Sequence, residues 1–92
     1  MPVDVRIPAA LRPHTGGLNA VQAEPGLVKE VLEQVAQSHP ALFEQIFVAE
    51  GKLHRFINVY VNDEDVRYKE GLDTRVQEGD VVAILPAVAG GG

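Results

Sequence analysis

Cysteine is absent from these 92 residues, which excludes disulfides, thiolate metal sites and a cysteine nucleophile. No apolar run approaches membrane-spanning length and no basic, apolar leader opens the chain. Neither insertion nor secretion is signalled, and the expected location is cytoplasmic with no membrane partner. Concentrated positive charge is missing as well. Eight Lys and Arg stand against thirteen Asp and Glu, for a net charge of -5, and the bases are scattered at Arg6, Arg12, Lys29, Lys52, Arg55, Arg67, Lys69 and Arg75. Nucleic acid is therefore not expected as a partner, and an acidic chain of this size suits a basic protein face.

Catalytic and metal-ligating constellations are equally scarce. His14, His39 and His54 lie far apart and share no ligand spacing. The run "NDED" gathers Asp63, Glu64 and Asp65 but lacks the glycine and closing glutamate of a calcium loop, and reads as a solvated turn. The internal Gly-Gly of "LRPHTGG" has no lysine where a phosphate loop needs one, so it too reads as a turn. No carboxylate pair or Ser/His/Asp set shows catalytic spacing, and the length suits one modest core rather than two lobes around a cleft. The expectation is a chain that is no enzyme, with no catalytic residues, bound cofactor or metal of its own.

What is present is the patterning of a small folded domain: 46% hydrophobic and 23% charged residues match an ordinary globular composition rather than a disordered one. "VDVRI" alternates Val3, Val5 and Ile7 with Asp4 and Arg6, the period of a strand with one buried face. Pro8 ends it, and "LNAVQA" reads as the return strand of a wide-looped hairpin. In "PGLVKEVLEQVAQSH", Leu27, Val28, Val31, Leu32 and Val35 share one helical face, with Pro25 suited to the first turn. Pro40 closes that helix or opens a short second turn whose Leu42, Phe43, Ile46 and Phe47 extend the core. Further on, Ile57, Val59 and Val61 alternate with Phe56, Asn58 and Tyr60 in another strand. "NDED" turns it into a short strand around Val66 to Tyr68, and "GLDTRVQEGD" loops into "VVAILP", an apolar strand suited to the middle of a sheet.

One helix covers one face of a four- or five-stranded sheet, an α+β arrangement. The layout that fits is the β-grasp, or ubiquitin-like, roll: a mixed sheet, one main helix, and first and last strands paired in parallel at the centre. Such a pairing makes residues 1–85 the domain and leaves 86–92, "PAVAGGG", as a flexible C-terminal glycine tail. Extended, seven residues reach roughly 20 to 25 Å, enough to thread a partner's active site. Glycine passes through channels too narrow for side chains, Pro86 stiffens the exit, and Ala87, Val88 and Ala89 can pair as an added strand against a partner.

The stretches "LRPHTGG", "GKLHRFINVYVNDEDVR" and "VQEGDVVAILPAVAGGG" together resemble the MoaD/ThiS sulfur carriers, and within that family the CysO-type carriers of cysteine biosynthesis, over nearly the whole chain. The resemblance implies a definite chemistry. An E1-like adenylating enzyme uses ATP and magnesium to activate the terminal glycine, and sulfide displaces AMP to leave a thiocarboxylate. In the CysO type that sulfur adds to an aminoacrylate on a pyridoxal phosphate (PLP) dependent cysteine synthase, and a zinc metalloprotease releases cysteine. The family ends on Gly-Gly, whereas Gly90, Gly91 and Gly92 make three here, so the reacting carboxyl belongs to Gly92 or Gly91, behind Pro86, Ala87, Val88, Ala89 and Gly90. Leu53, Arg55, Phe56, Tyr60 and Arg67 form the candidate patch for the adenylating partner, against core packing as the plainer reading. Within the family, a molybdopterin synthase small subunit or a thiamine thiazole sulfur carrier would differ only in its acceptor. From other classes stand a ubiquitin-like modifier joined to lysines and a binding module with an inert tail.

Overall fold

The computed structural model describes residues 2–49 and 52–86. The chain opens with β1 (Val3–Arg6), which places Val3 and Val5 inside, followed by Ile7, also buried. The Pro-rich stretch that follows is more than a turn. It forms a 3₁₀ helix, Ala9–Thr15, closed by Gly16 in the left-handed conformation at φ 68°, where a side chain would be strained. Thr15 is buried and its hydroxyl donates toward the carbonyls of Arg12 and Leu18, at 3.0 and 2.9 Å. This knot returns the chain as β2 (Ala20–Ala23), antiparallel to β1 with Val5 opposite Val21.

The amphipathic segment forms α1 (Val28–Ser38), burying Val28, Val31, Leu32, Val35 and Ala36. Two of its expected members fall outside. Leu27 is the extended residue before the helix, and with Gly26 it makes a two-residue strand, β3 (Gly26–Leu27), so Pro25 also lies ahead of the first turn. The start is displaced because Glu30 reaches back, its Oε1 accepting from the Leu27 N–H at 2.8 Å; the first turn is capped from within. Pro40 opens α2 (Pro40–Ile46), where its missing N–H costs nothing. Leu42 and Ile46 are fully buried. Phe43, expected in the core, is instead 37% exposed, its ring 5.3 Å from that of Phe47. Phe47 is buried but not helical: it begins β4 (Phe47–Ala49), paired with β5 (Lys52–Leu53).

β6 (Ile57–Val61) then runs into a two-residue hairpin and β7 (Glu64–Asp65). The hairpin residues Asn62 and Asp63 both have positive φ, 50° and 71°, the pattern of a turn whose twist matches paired strands. The expected strand at Val66–Tyr68 is a 3₁₀ turn. The pairing falls two residues earlier because Asp65 stops it: its carboxylate accepts from the Arg67 backbone N–H at 2.8 Å and bends the chain away. After a further 3₁₀ turn, Gly71–Asp73, the segment expected to be loop contributes β8 (Arg75–Val76), antiparallel to β3.

The last strand, β9 (Val81–Pro86), completes a five-stranded sheet of order β2-β1-β9-β6-β7. It runs parallel to β1, with Val5 beside Val82, and antiparallel to β6, with Val59 opposite Ile84. This is the expected β-grasp roll with β9 at its centre. One core lies between the sheet and the two helices, with Val5, Leu32, Leu42, Ile46, Val59, Val82 and Ile84 essentially inaccessible. No helix among the described residues is long and apolar enough to cross a membrane.

Candidate functional site

The site begins where the central strand ends. Along β9, Val82 and Ile84 face the helices and are buried, so Ala83 and Leu85 point to the uncovered side of the sheet. Leu85 is 44% exposed, opposite Asn58. Pro86, expected as the first residue of the tail, is the last residue of the strand and lies opposite Ile57. Proline is tolerated there because past Ala83 the strand pairs with β6 alone and is locally an edge. The strand is held on both sides, by β1 and β6, as far as Ala83, and by β6 alone from Ile84 to Pro86. The expected tail residues Ala87, Val88, Ala89, Gly90, Gly91 and Gly92 lie outside the described residues.

Around that end lies a shallow groove lined by Leu11, Gln45, His54, Phe56, Ile57 and Pro86. Three sequence-distant segments build it: the 3₁₀ helix after β1, the end of α2, and the approach to β6. The parallel β1–β9 pairing brings the first of these to the exit, because β1 and β9 finish at the same edge. The backbone N–H of His54 donates to the Ile46 carbonyl at 2.7 Å, which ties the β6 approach to α2. The His54 ring stacks on Phe56 at 6.2 Å, and the Arg55 guanidinium carbon lies 5.8 Å from the Phe56 centroid, within cation–π range. Arg12 is anchored by a bond from its Nε to the Ile7 carbonyl at 3.1 Å.

The five patch residues therefore fall in different places. Arg55 and Phe56 are together beside the groove, and Phe56 is 43% exposed. Leu53 is half-buried and packs on the core. Tyr60 alternates with buried Val59 and Val61, which puts it on the uncovered face beside Ala83. Arg67 stands near it through Asp65, whose register partner is Tyr60. Four residues of strand, about 13 Å, separate Phe56 from Tyr60. Leu11, Gln45 and His54 were not among the sequence candidates for a partner surface. Leu11 and Gln45 carried no signal of their own, and only the chain crossing at the exit brings them to Pro86.

At the far end of β6 the electrostatics are settled internally. The Arg67 guanidinium binds the Asp65 carboxylate at 2.7 Å and, with the Arg67 backbone N–H, holds the Asp65 pKa below its ordinary value; the same pair raises that of Arg67. Asp80, at the start of β9, accepts from the Asn62 side chain at 3.0 Å and from the Gln77 N–H at 2.9 Å, and its pKa is likewise lowered. Both carboxylates are structural clasps of turns. Among the described residues, no group of three or more His, Asp or Glu is arranged to hold a metal ion.

Comparison with known proteins bears on this exit. The sulfur carrier protein CysO of Mycobacterium tuberculosis is 48% identical over 93 residues, spanning 99% of this chain and all of that protein. CysO in the crystal structure of the Amycolatopsis orientalis BexX/CysO complex superposes with a TM-score of 0.86 at 52% identity, covering 96% of this chain and 98% of the other. The small archaeal modifier protein 1 of Methanosarcina acetivorans, solved in solution, gives 0.83 at 31% identity over 97% and 95% of the two chains. The model of the ThiS family matches residues 5–91, from the first central strand through the run that follows Pro86. With β1 and β9 paired in parallel at the centre of a five-stranded sheet and the match running nearly end to end, this chain belongs to the ThiS family.

Proposed function

We propose that this chain is a cytoplasmic sulfur carrier, a substrate of enzymes and not itself one, whose C-terminal glycine is converted to a thiocarboxylate. The observation that carries the reading is the register of β9: a rigid central strand delivers the chain to the edge of the sheet at Pro86, beside an apolar groove. The likeness to a CysO sulfur carrier along the full length supports it.

The chemistry follows from the terminus. An α-carboxylate, with a pKa of about 3.3 to 3.7, is an anion at neutral pH and resists nucleophilic attack. An E1-like enzyme using ATP and magnesium would join the carboxylate of Gly92, or of Gly91, to AMP with loss of pyrophosphate. Hydrosulfide then attacks the acyl carbon, AMP departs, and the thiocarboxylate remains with a nucleophilic sulfur. The chain supplies no acid or base to this step. Its part is to hold the approach to the tail rigid and to present a docking surface, while the absence of cysteine leaves no internal thiol to intercept the activated acyl group. The acceptor we favour is a PLP-dependent cysteine synthase, with a zinc metalloprotease releasing the product.

Incubation with the cognate adenylating enzyme, ATP and sulfide, followed by intact-mass measurement, tests the reading. Replacement of one terminal oxygen by sulfur is expected; an unchanged mass overturns it. A second reading, a modifier joined to lysines, is favoured by the likeness to an archaeal modifier protein. It predicts higher-mass conjugates in cell extract.

A further inference from the structure

The net charge of -5 is unevenly placed, and the basic residues divide into two sets. Arg6, Lys29, Arg67 and Lys69 are each bound to a carboxylate, on Asp4, Asp73, Asp65 and Glu64, at 2.7 to 3.4 Å. Among the described residues, Arg12, Lys52, Arg55 and Arg75 make no such ion pair. Three of these four gather at the exit end of the sheet. Arg12 follows Leu11 and Arg55 precedes Phe56, two groove-lining residues, and Lys52 lies in β5 two residues before His54. All three are exposed. The carboxylates of the turns, Asp63 and Glu64 after β6 and Glu78 and Asp80 before β9, belong to the opposite end, whereas exposed Glu44, which precedes groove-lining Gln45, stands at the exit end.

Magnitude decides which charge a partner meets. The six residues of β9 span about 20 Å, whereas screening at physiological salt acts over about 8 Å. A surface approaching the groove is therefore beyond the reach of the acidic turns and within reach of the three cations. Among the described residues, three cations against the one carboxylate of Glu44 leave this end positive, although the whole chain is acidic. We propose that the exit-end groove is a docking surface for a protein whose contact site is an apolar projection ringed by carboxylates. Apolar groups fill the space between Leu11, Phe56 and Pro86; the carboxylates pair with Arg12, Lys52 and Arg55. Arg55 suits this role because its cation–π contact with Phe56, a groove-lining residue, keeps it beside the groove without neutralising it.

The proposal rests on the carrier reading, since an enzyme that receives the tail must approach this end. The probe is the adenylating enzyme from the same organism, with association followed by stopped-flow fluorescence at low and high salt and loading followed separately by mass. The double variant Lys52→Glu/Arg55→Glu is expected to associate at least about tenfold more slowly at low salt and with a flatter salt dependence, as is Arg12→Glu. Arg75→Glu, at the other end, is expected to keep the wild-type rate, and Arg55→Lys to retain most of it. Each variant is checked by its melting curve; the double variant alone suffices if Arg12→Glu disturbs the bond to Ile7. Wild-type rates in a folded double variant, or faster association, overturn the surface. Loading with an unaffected double variant sinks the surface and leaves the carrier reading intact. Salt-sensitive binding without loading does the reverse, and no binding by the wild-type chain overturns both.

Discussion

Asp65 and Asp80 show how single residues set the edges of this fold. Asp65 is nearly inaccessible yet charged, because Arg67 supplies both a guanidinium and a backbone N–H to it. Asp80 is clasped by Asn62 and Gln77, while Asn62 in turn accepts from the Val81 N–H at 3.0 Å. Both carboxylates have folded pKa values below the ordinary 3.8, so they favour the folded state when ionised. As pH falls through the ordinary value, the unfolded chain takes up protons first and stability declines. The contribution vanishes once the folded carboxylates are themselves protonated, and above about pH 5 it is constant. Thermal melts from about pH 6 down to about pH 3 should therefore show a loss of melting temperature in the wild-type chain that is shallower in Asp80→Asn and in Asp65→Asn. The sequence marks these residues only as part of a polar turn. That they act as clasps depends on Asn62 meeting Asp80 across eighteen residues, which no local pattern reveals.

At the scale of elements, the informative cases are those whose boundaries moved. The α1 periodicity is legible down to Val28, but Leu27 fits the same stripe and is extended, because pairing with Arg75 in β8 competes for it. Gly26 makes room for the contact that decides the outcome: a Cβ there would approach the Glu30 Oε1 to 2.8 Å. Gly26→Ala should push Glu30 off the Leu27 N–H and cost about 0.5 to 2 kcal/mol, the range for loss of a helix cap, measurable by urea unfolding. The β6–β7 hairpin offers the opposite test. Asp63 holds φ 71°, a conformation that burdens any side chain and suits glycine. Asp63→Gly relieves about 1 to 2 kcal/mol of left-handed strain against about 0.5 to 1 kcal/mol of added chain entropy in the unfolded state, and is expected to stabilise the chain by about 0.5 to 1 kcal/mol, read as a higher urea midpoint with unchanged slope. A fall in the midpoint would mean that the side chain contributes more than its strained backbone costs.

At the scale of the whole molecule, the fold separates stability from the proposed reactivity. The core is closed by residues up to Ile84, and Pro86 is the last residue of the sheet. Deleting Gly91 and Gly92 should accordingly leave the melting temperature within about 2 to 4 °C, since changes away from core and clasps are usually worth under about 0.5 kcal/mol. Loading with sulfur should be abolished in the same protein. A large loss of stability on that deletion would tie the terminus to the folded body and count against the carrier reading.

Alternation in Val3–Ile7 and Ile57–Val61, the helical stripe from Val28 to Val35, and the doubly apolar "VVAILP" determined by themselves that this chain makes a β-grasp roll with its last strand central. These signals are local and repeat with the geometry of the element, so they survive in one dimension. The tertiary structure alone decided that Leu11, Gln45, His54 and Phe56 meet Pro86 in a groove, that Tyr60 and Arg67 lie elsewhere, and that three cations with no ion pair among the described residues share the exit end of an acidic protein. Those facts follow from which strand ends finish together and which carboxylates are already engaged, and the parallel register of β1 and β9 sets them across some eighty residues of chain.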